Sequence, residues 1–240
     1  MRASRAVVIT ATIGIIAFSA ASCTSMWSGI WRKLRGTRTV GEVLADIGPA
    51  AGKRLEARFS GAKLAFPPSR AVLVAYKRER VLELWAPAAG GAVLVHTYPV
   101  TAASGGPGPK LREGDMQVPE GVYSPVELEP NSSYYLAIKI NYPNATDLAN
   151  ARLDRRTNLG GDIYIHGRDY SEGCLAVGDR AIEELFMLAA RTGLGNITVI
   201  IGPRRFEGEL APGPGLPDWA GALYGEISRT IRDEGLAARP

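Results

Sequence analysis

The chain has 240 residues, 46% hydrophobic and 22% charged, which is enough apolar material for one moderate core and too much for a disordered segment. Its net charge of +4 is spread without any Lys/Arg block, which excludes the usual electrostatic footprint of a nucleic-acid binder. Two cysteines are too few for the disulfide framework of a small exported scaffold.

In chain order, Arg2 and Arg5 precede an apolar run from Ala6 to Ala21, so residues 1–22 read as an export signal. Ala20-Ala21-Ser22-Cys23 resembles a bacterial lipobox, with Ala20 where Leu is usual, and makes Cys23 the candidate lipidation site. Lipidation, ordinary cleavage and retention as an uncleaved membrane anchor all place the folded part outside the cytoplasm, in the periplasm or cell envelope. Residues 23–66 read as a tether followed by a helical segment. Thr39-x-x-Glu42 predicts a capping box, with Val40, Val43, Leu44 and Ile47 at helical spacing behind it. Gly48-Pro49 predicts the end of that helix and the start of a second, running through Leu55 and Phe59 to Gly61.

From Arg70 the texture changes to short strands. Ala71–Tyr76, Val81–Trp85 and Ala92–Thr97 predict an antiparallel meander. Residues 101–114, rich in Gly and Pro, predict a functional loop. Further strands are expected at Val122–Val126, Tyr135–Tyr142, Ile163–His166 and Ile197–Ile201. One helix stands out, capped by Asp179, with Ile182, Leu185, Phe186 and Ala189 as its stripe and Gly193 as its end. The tail 204–240 holds an amphipathic piece around Trp219–Ile231. The expected fold is α+β, mainly β, with a core domain at 67–203 and peripheral helices.

The chemistry concentrates in Ile165-His166-Gly167-Arg168-Asp169-Tyr170-Ser171-Glu172-Gly173-Cys174. A thiol becomes a good nucleophile when an imidazole takes its proton. If Cys23 is lipidated or removed, Cys174 has no intramolecular partner, and an unpaired thiol in an oxidising compartment favours a catalytic role over an inert one. His166 is the candidate general base, acting by proton abstraction or as an ion pair, and the Gly167 carbonyl is the expected orienter of its ring. The amides of Gly173 and Cys174 are the expected oxyanion donors. His96, the other histidine, sits in a strand-like run and reads as structural, so no metal site is expected.

His166-Gly167 followed by Ser171-x-Gly173-Cys174 resembles the signature of the L,D-transpeptidase (YkuD-type) catalytic domain of bacterial cell-wall enzymes. The resemblance continues through Gly108-Pro109-Lys110, Gly114-Asp115, Val118-Pro119-Glu120-Gly121-Val122-Tyr123, Asn131-Ser132-Ser133-Tyr134 and Tyr142-Pro143-Asn144. It implies a mainly β sandwich or barrel and no cofactor. In that family the cysteine attacks the carbonyl of a diaminopimelate residue in a peptidoglycan stem peptide, D-alanine leaves, and an amine or water resolves the thioester. Carried over, Cys174 is the nucleophile, His166 the base and Gly167 the orienter, while Ser171 and Gly173 shape the thiol turn and oxyanion pocket. Many members carry arginine where this chain has Ala176, and Cys174-Leu175-Ala176-Val177 instead resembles the YafK-like branch. That branch includes an enzyme releasing a wall-attached lipoprotein, so attachment and hydrolysis both stay open. Without that arginine, Lys139 and Arg168 are the candidate contacts for stem-peptide carboxylates. The alternative class is a non-catalytic peptidoglycan-binding lipoprotein, which has no need of a reactive thiol.

Overall fold

The structure, a computed structural model, describes residues 37–236. The predicted signal at 1–22, Cys23 and the tether to residue 36 lie outside the described residues. Every helix and strand described belongs to the unit that begins at Val40.

Gly48-Pro49 does not break the first helix. Residues Val40–Gly61 form one helix, α1, with Pro49 inside it. Proline removes one backbone hydrogen bond and crowds the preceding turn, but tertiary packing holds the helix continuous. Val43, Ile47, Ala51, Leu55 and Phe59 are buried along one face. Gly48 and Gly52 leave room for the Met187 side chain, whose Cε lies 3.7 and 3.5 Å from where their Cβ atoms would stand.

The strands are β1 (Ala71–Tyr76), β2 (Val81–Ala88), β3 (Gly91–Pro99), β4 (Ala102–Ala103), β5 (Gly121–Tyr123), β6 (Pro125–Glu129), β7 (Ala137–Ile140), β8 (Tyr164–His166), β9 (Leu175–Ala176) and β10 (Ile197–Gly202). The other helices are α2 (Ala145–Leu153), α3 (Asp179–Thr192) and α4 (Ala220–Asp233). One five-stranded sheet has the order β3-β2-β1-β10-β5, and the other β4-β9-β8-β7-β6. The predicted meander is present as β1–β2–β3, antiparallel throughout, and β1 also pairs in parallel with β10. The α+β expectation therefore holds.

β1 is apolar along its whole length because it is covered on both faces. Leu73 and Ala75 join the main core, whereas Val72 and Val74 join a second core with Leu223, Tyr224 and Ile227 of α4. The main core takes residues from both sheets, from α1 and from Ile182, Leu185 and Phe186 of α3.

Two further expectations are corrected and one helix is added. Val122–Val126 is not one strand: the chain leaves the first sheet at Ser124, whose N–H donates to Asn141 Oδ1, and enters the second at Pro125. Asp179 does not cap α3. Gly178 is the N-cap, and the Asp179 carboxylate instead accepts from the Arg168 amide and guanidinium, each at 2.8 Å. Helix α2 was not expected; Asn144 and Asp147 form its capping box.

Candidate active site

Strand alternation puts the thiol and the imidazole on one face. β8 and β9 run parallel with Ile165 opposite Leu175 and His166 opposite Ala176. Ile165 and Leu175 are both core residues. His166, and Cys174 one residue before β9, therefore point to the other side of the sheet. Both line a cavity of about 430 Å³, together with Glu129, Asn131, Ser132, Ser133, Tyr134, Asp162, Tyr164 and Glu172.

His166 is 1% exposed. Its Nδ1 lies 2.7 Å from the Gly167 carbonyl oxygen. A carbonyl can only accept, so Nδ1 carries the proton and Nε2 keeps its lone pair. The Tyr134 ring covers the imidazole at 4.6 Å between centroids, and Tyr170 stacks with Tyr134 at 6.2 Å. Burial lowers the His166 pKa, partly opposed by the hydrogen bond to Gly167. Burial raises the Cys174 pKa, partly opposed by the Tyr164 N–H and by the Lys110 charge. Both shifts favour the neutral thiol–imidazole pair over the ion pair.

Gly167 cannot be replaced without moving its neighbours. A Cβ there would stand 2.7 Å from Asp179 Oδ1 and 2.8 Å from the Tyr134 carbonyl oxygen. Gly167→Ala is expected to displace the carbonyl that orients His166 and to cut turnover at least about tenfold. The overpacking should cost about 1–3 kcal/mol, read from urea unfolding alongside the kinetics.

The thiol turn is held by hydroxyls. Ser171 Oγ donates to the Cys174 carbonyl at 2.6 Å and accepts the Cys174 N–H at 3.1 Å. The Gly173 N–H donates to Ser104 Oγ at 2.6 Å. The two amides expected to receive an oxyanion are thus engaged in this arrangement. Backbone N–H groups that face away from water take the nearest acceptor, and here two serines supply it. Gly173 itself has φ +102°, a conformation that favours glycine.

Lys139 and Arg168 do not line the cavity. Lys139 Nζ pairs with Asp162 and lies over the Tyr164 ring, whereas Arg168 pairs with Asp179 at 2.8 Å and lies over Tyr135. The charged cavity residues are Glu129, Asp162 and Glu172. Of these, Asp162 is already paired with Lys139, which leaves Glu129 and Glu172 as the carboxylates without that partner. His96 accepts from Arg58 Nη1 at 2.7 Å and packs edge-on against Tyr98, away from the cavity lining.

Sequence reasoning missed Ser104 and missed Tyr134 as the cover of the imidazole; Asp162, close to the histidine in sequence, places its carbonyl oxygen 3.8 Å from Cys174 Sγ. The run Asn131-Ser132-Ser133-Tyr134 was the available signal for Tyr134; Ser104 had none.

The family model of the L,D-transpeptidase catalytic domain (YkuD) matches residues 69–201. The chain belongs to the L,D-transpeptidase family. YafK of Escherichia coli (strain K12), named as a candidate L,D-transpeptidase, is 40% identical over 113 residues, which are 46% of this chain and 44% of YafK. The chain thus spans less than half the length of the curated relatives it matches. Among solved structures, the helical cell shape determining protein Pgp2 of Campylobacter jejuni is 18% identical with a TM-score of 0.47, covering 63% of this chain and 56% of its own. Bd1075 of Bdellovibrio bacteriovorus is 21% identical with a TM-score of 0.41, covering 70% of this chain and 57% of its own.

Proposed function

We propose that this L,D-transpeptidase-family chain is a cysteine acyl-transfer enzyme of the cell envelope, exported by its N-terminal segment and acting on peptidoglycan stem peptides. The observation that carries the reading is the His166 tautomer. With Nδ1–H spent on Gly167, the free Nε2 lone pair belongs to a ring that shares its cavity with the Cys174 sulfur.

The Cys174 S–H proton passes to Nε2 as sulfur attacks the carbonyl carbon of the diaminopimelate residue. The C–N bond to the terminal D-alanine then breaks, and the imidazolium returns its proton to the leaving amine. A thioester remains on Cys174. Water or an amine attacks it, giving up a proton to Nε2, and the thiol is restored. With D-alanine as the leaving group, water makes the chain a carboxypeptidase and an amine makes it a transpeptidase; where the amine of a wall-attached lipoprotein leaves in place of D-alanine, water makes it an amidase. Glu129 and Glu172 on the cavity wall suit an acceptor that approaches as an ammonium group before it loses its proton.

Incubation of the exported domain with defined tetrapeptide muropeptides, followed by mass spectrometry, tests the reading. A joined product, or loss of D-alanine alone, is expected from the wild type and neither from Cys174→Ala. Equal product from both proteins would refute thioester chemistry at this site.

A further inference from the structure

Ser104 lies in the loop that follows β4, far in sequence from the thiol turn, yet three contacts tie it there. Its Oγ accepts the Gly173 N–H at 2.6 Å and lies 3.3 Å from Ser171 Oγ, and its own N–H points at Ser171 Oγ at 3.4 Å. The Ser171 proton is already spent on the Cys174 carbonyl at 2.6 Å, so Ser104 is the donor between the two hydroxyls. The turn carrying the sulfur is therefore closed from two sides, by its own serine and by one from the loop.

The loop is in turn fixed from behind. Gln117 clamps it, with Nε2 donating to the Gly106 and Gly108 carbonyls at 2.9 and 2.7 Å and Oε1 accepting the Gly106 N–H at 2.9 Å. Gly108 also donates its N–H to Glu120 Oε1 at 2.7 Å, and its carbonyl accepts from Lys77 Nζ at 2.8 Å. Lys77 and Glu120 form an ion pair at 3.1 Å, with side chains only 3% and 0% exposed. A buried pair of this kind contributes little net stability but fixes geometry, since breaking it strands a charge. The remaining oxygen of Glu120 accepts from Tyr224 Oη at 2.7 Å. Tyr224 belongs to α4, beyond the 69–201 segment that the family model matches.

We infer that Ser104 is a positioning residue for the Cys174 thiol, and that α4 holds it in place through Tyr224, Glu120 and the Gly106–Gly108 backbone. The inference rests on Cys174 being the nucleophile. The C-terminal helix is then a brace for the catalytic turn and not a cover over the cavity.

The test uses the exported domain carrying Ser104→Ala, Ser104→Thr or Tyr224→Phe. Each variant is read by muropeptide turnover and by the pH profile of Cys174 alkylation with iodoacetamide, which needs no substrate. Ser104→Ala is expected to lower kcat about tenfold with KM within about twofold, as small misplacements of a reacting atom do. Its alkylation profile should move down toward that of a free thiol as water reaches the loosened turn. Ser104→Thr, which keeps the hydroxyl, should restore both, and Tyr224→Phe should show a weaker form of the alanine effect. If Ser104→Ala matches the wild type in both kcat and alkylation profile, the inference is wrong, whether or not Tyr224→Phe folds. A shifted profile in a protein whose wild type turns over no muropeptide leaves the positioning role standing and removes the proposed function.

Discussion

Replacing His166 with glutamine is expected to lower kcat/KM on a stem peptide by about 10²–10⁴-fold, the range that general-base catalysis supplies. Glutamine keeps a polar side chain under the Tyr134 ring but cannot take the thiol proton. Burial holds the imidazole below its ordinary pKa of 6.5 and holds the Cys174 thiol above its ordinary 9.0, so both are neutral near pH 7. The base works only while unprotonated. Wild-type kcat/KM should therefore stay level as pH falls toward 6.5, and be lost only below it, as His166 takes a proton. In His166→Gln that acid limb should vanish, and residual activity should rise toward alkaline pH as the thiolate forms unaided. An acid limb centred above 6.5, or one that survives the substitution, would contradict a buried neutral base at this position.

Apolar pattern announced the strands that build the core, and Ala71–Tyr76 is their clearest case. A strand buried on both faces is apolar at every position, and β1 is such a strand. The thiol segment was equally legible, because its histidine, glycines and cysteine sit close together in sequence. What the sequence hid was pairing at a distance. Ser104 meets Gly173 across 69 residues, and Lys139 meets Asp162 across 23, so no local pattern marks either contact. This is why Lys139 and Arg168 looked available to a substrate. Asp179 had been assigned to a helix cap, and no local pattern tied Asp162 to Lys139.

Helices show the same division. The stripe of α3 was plain, because it buries Ile182, Leu185, Phe186 and Ala189. α2 buries only Ala151, so its sequence has no stripe to find, and its capping box between Asn144 and Asp147 was the one readable sign. Gly48-Pro49 is the opposite case, a strong local stop signal overruled by packing. The reason lies partly in charge. Arg54 and Arg58, both in the half of α1 after Pro49, reach the same buried acid on α3.

That acid, Glu184, sets the largest stability effect expected in the molecule. Its side chain is fully buried and accepts from Arg54 Nε at 2.6 Å, Arg58 Nε at 2.7 Å and Tyr98 Oη at 2.9 Å, joining α1, α3 and β3. Glu184→Ala removes the acceptor from two guanidinium groups and a buried phenol at once. Breaking a buried pair costs about 3–5 kcal/mol; Arg54 keeps Glu183 at 2.8 Å while Arg58 and the Tyr98 phenol lose this acceptor, so the low end, about 3 kcal/mol, is expected. A fall of that size in urea-unfolding free energy at pH 7 is expected, whereas a loss under about 1 kcal/mol would show that water already solvates the arginines. Acid provides an independent check. Burial pushes the Glu184 carboxyl up, but its hydrogen bonds from Arg58, Arg54 and Tyr98 outweigh this and hold its pKa below the ordinary 4.5. A carboxyl whose folded pKa is depressed stabilises the fold fully above its unfolded pKa and loses that contribution as pH falls through the folded one. The gap in stability between wild type and Glu184→Gln should therefore be constant near neutrality and close only below about pH 4.5, where the unfolded chain begins to take up the proton.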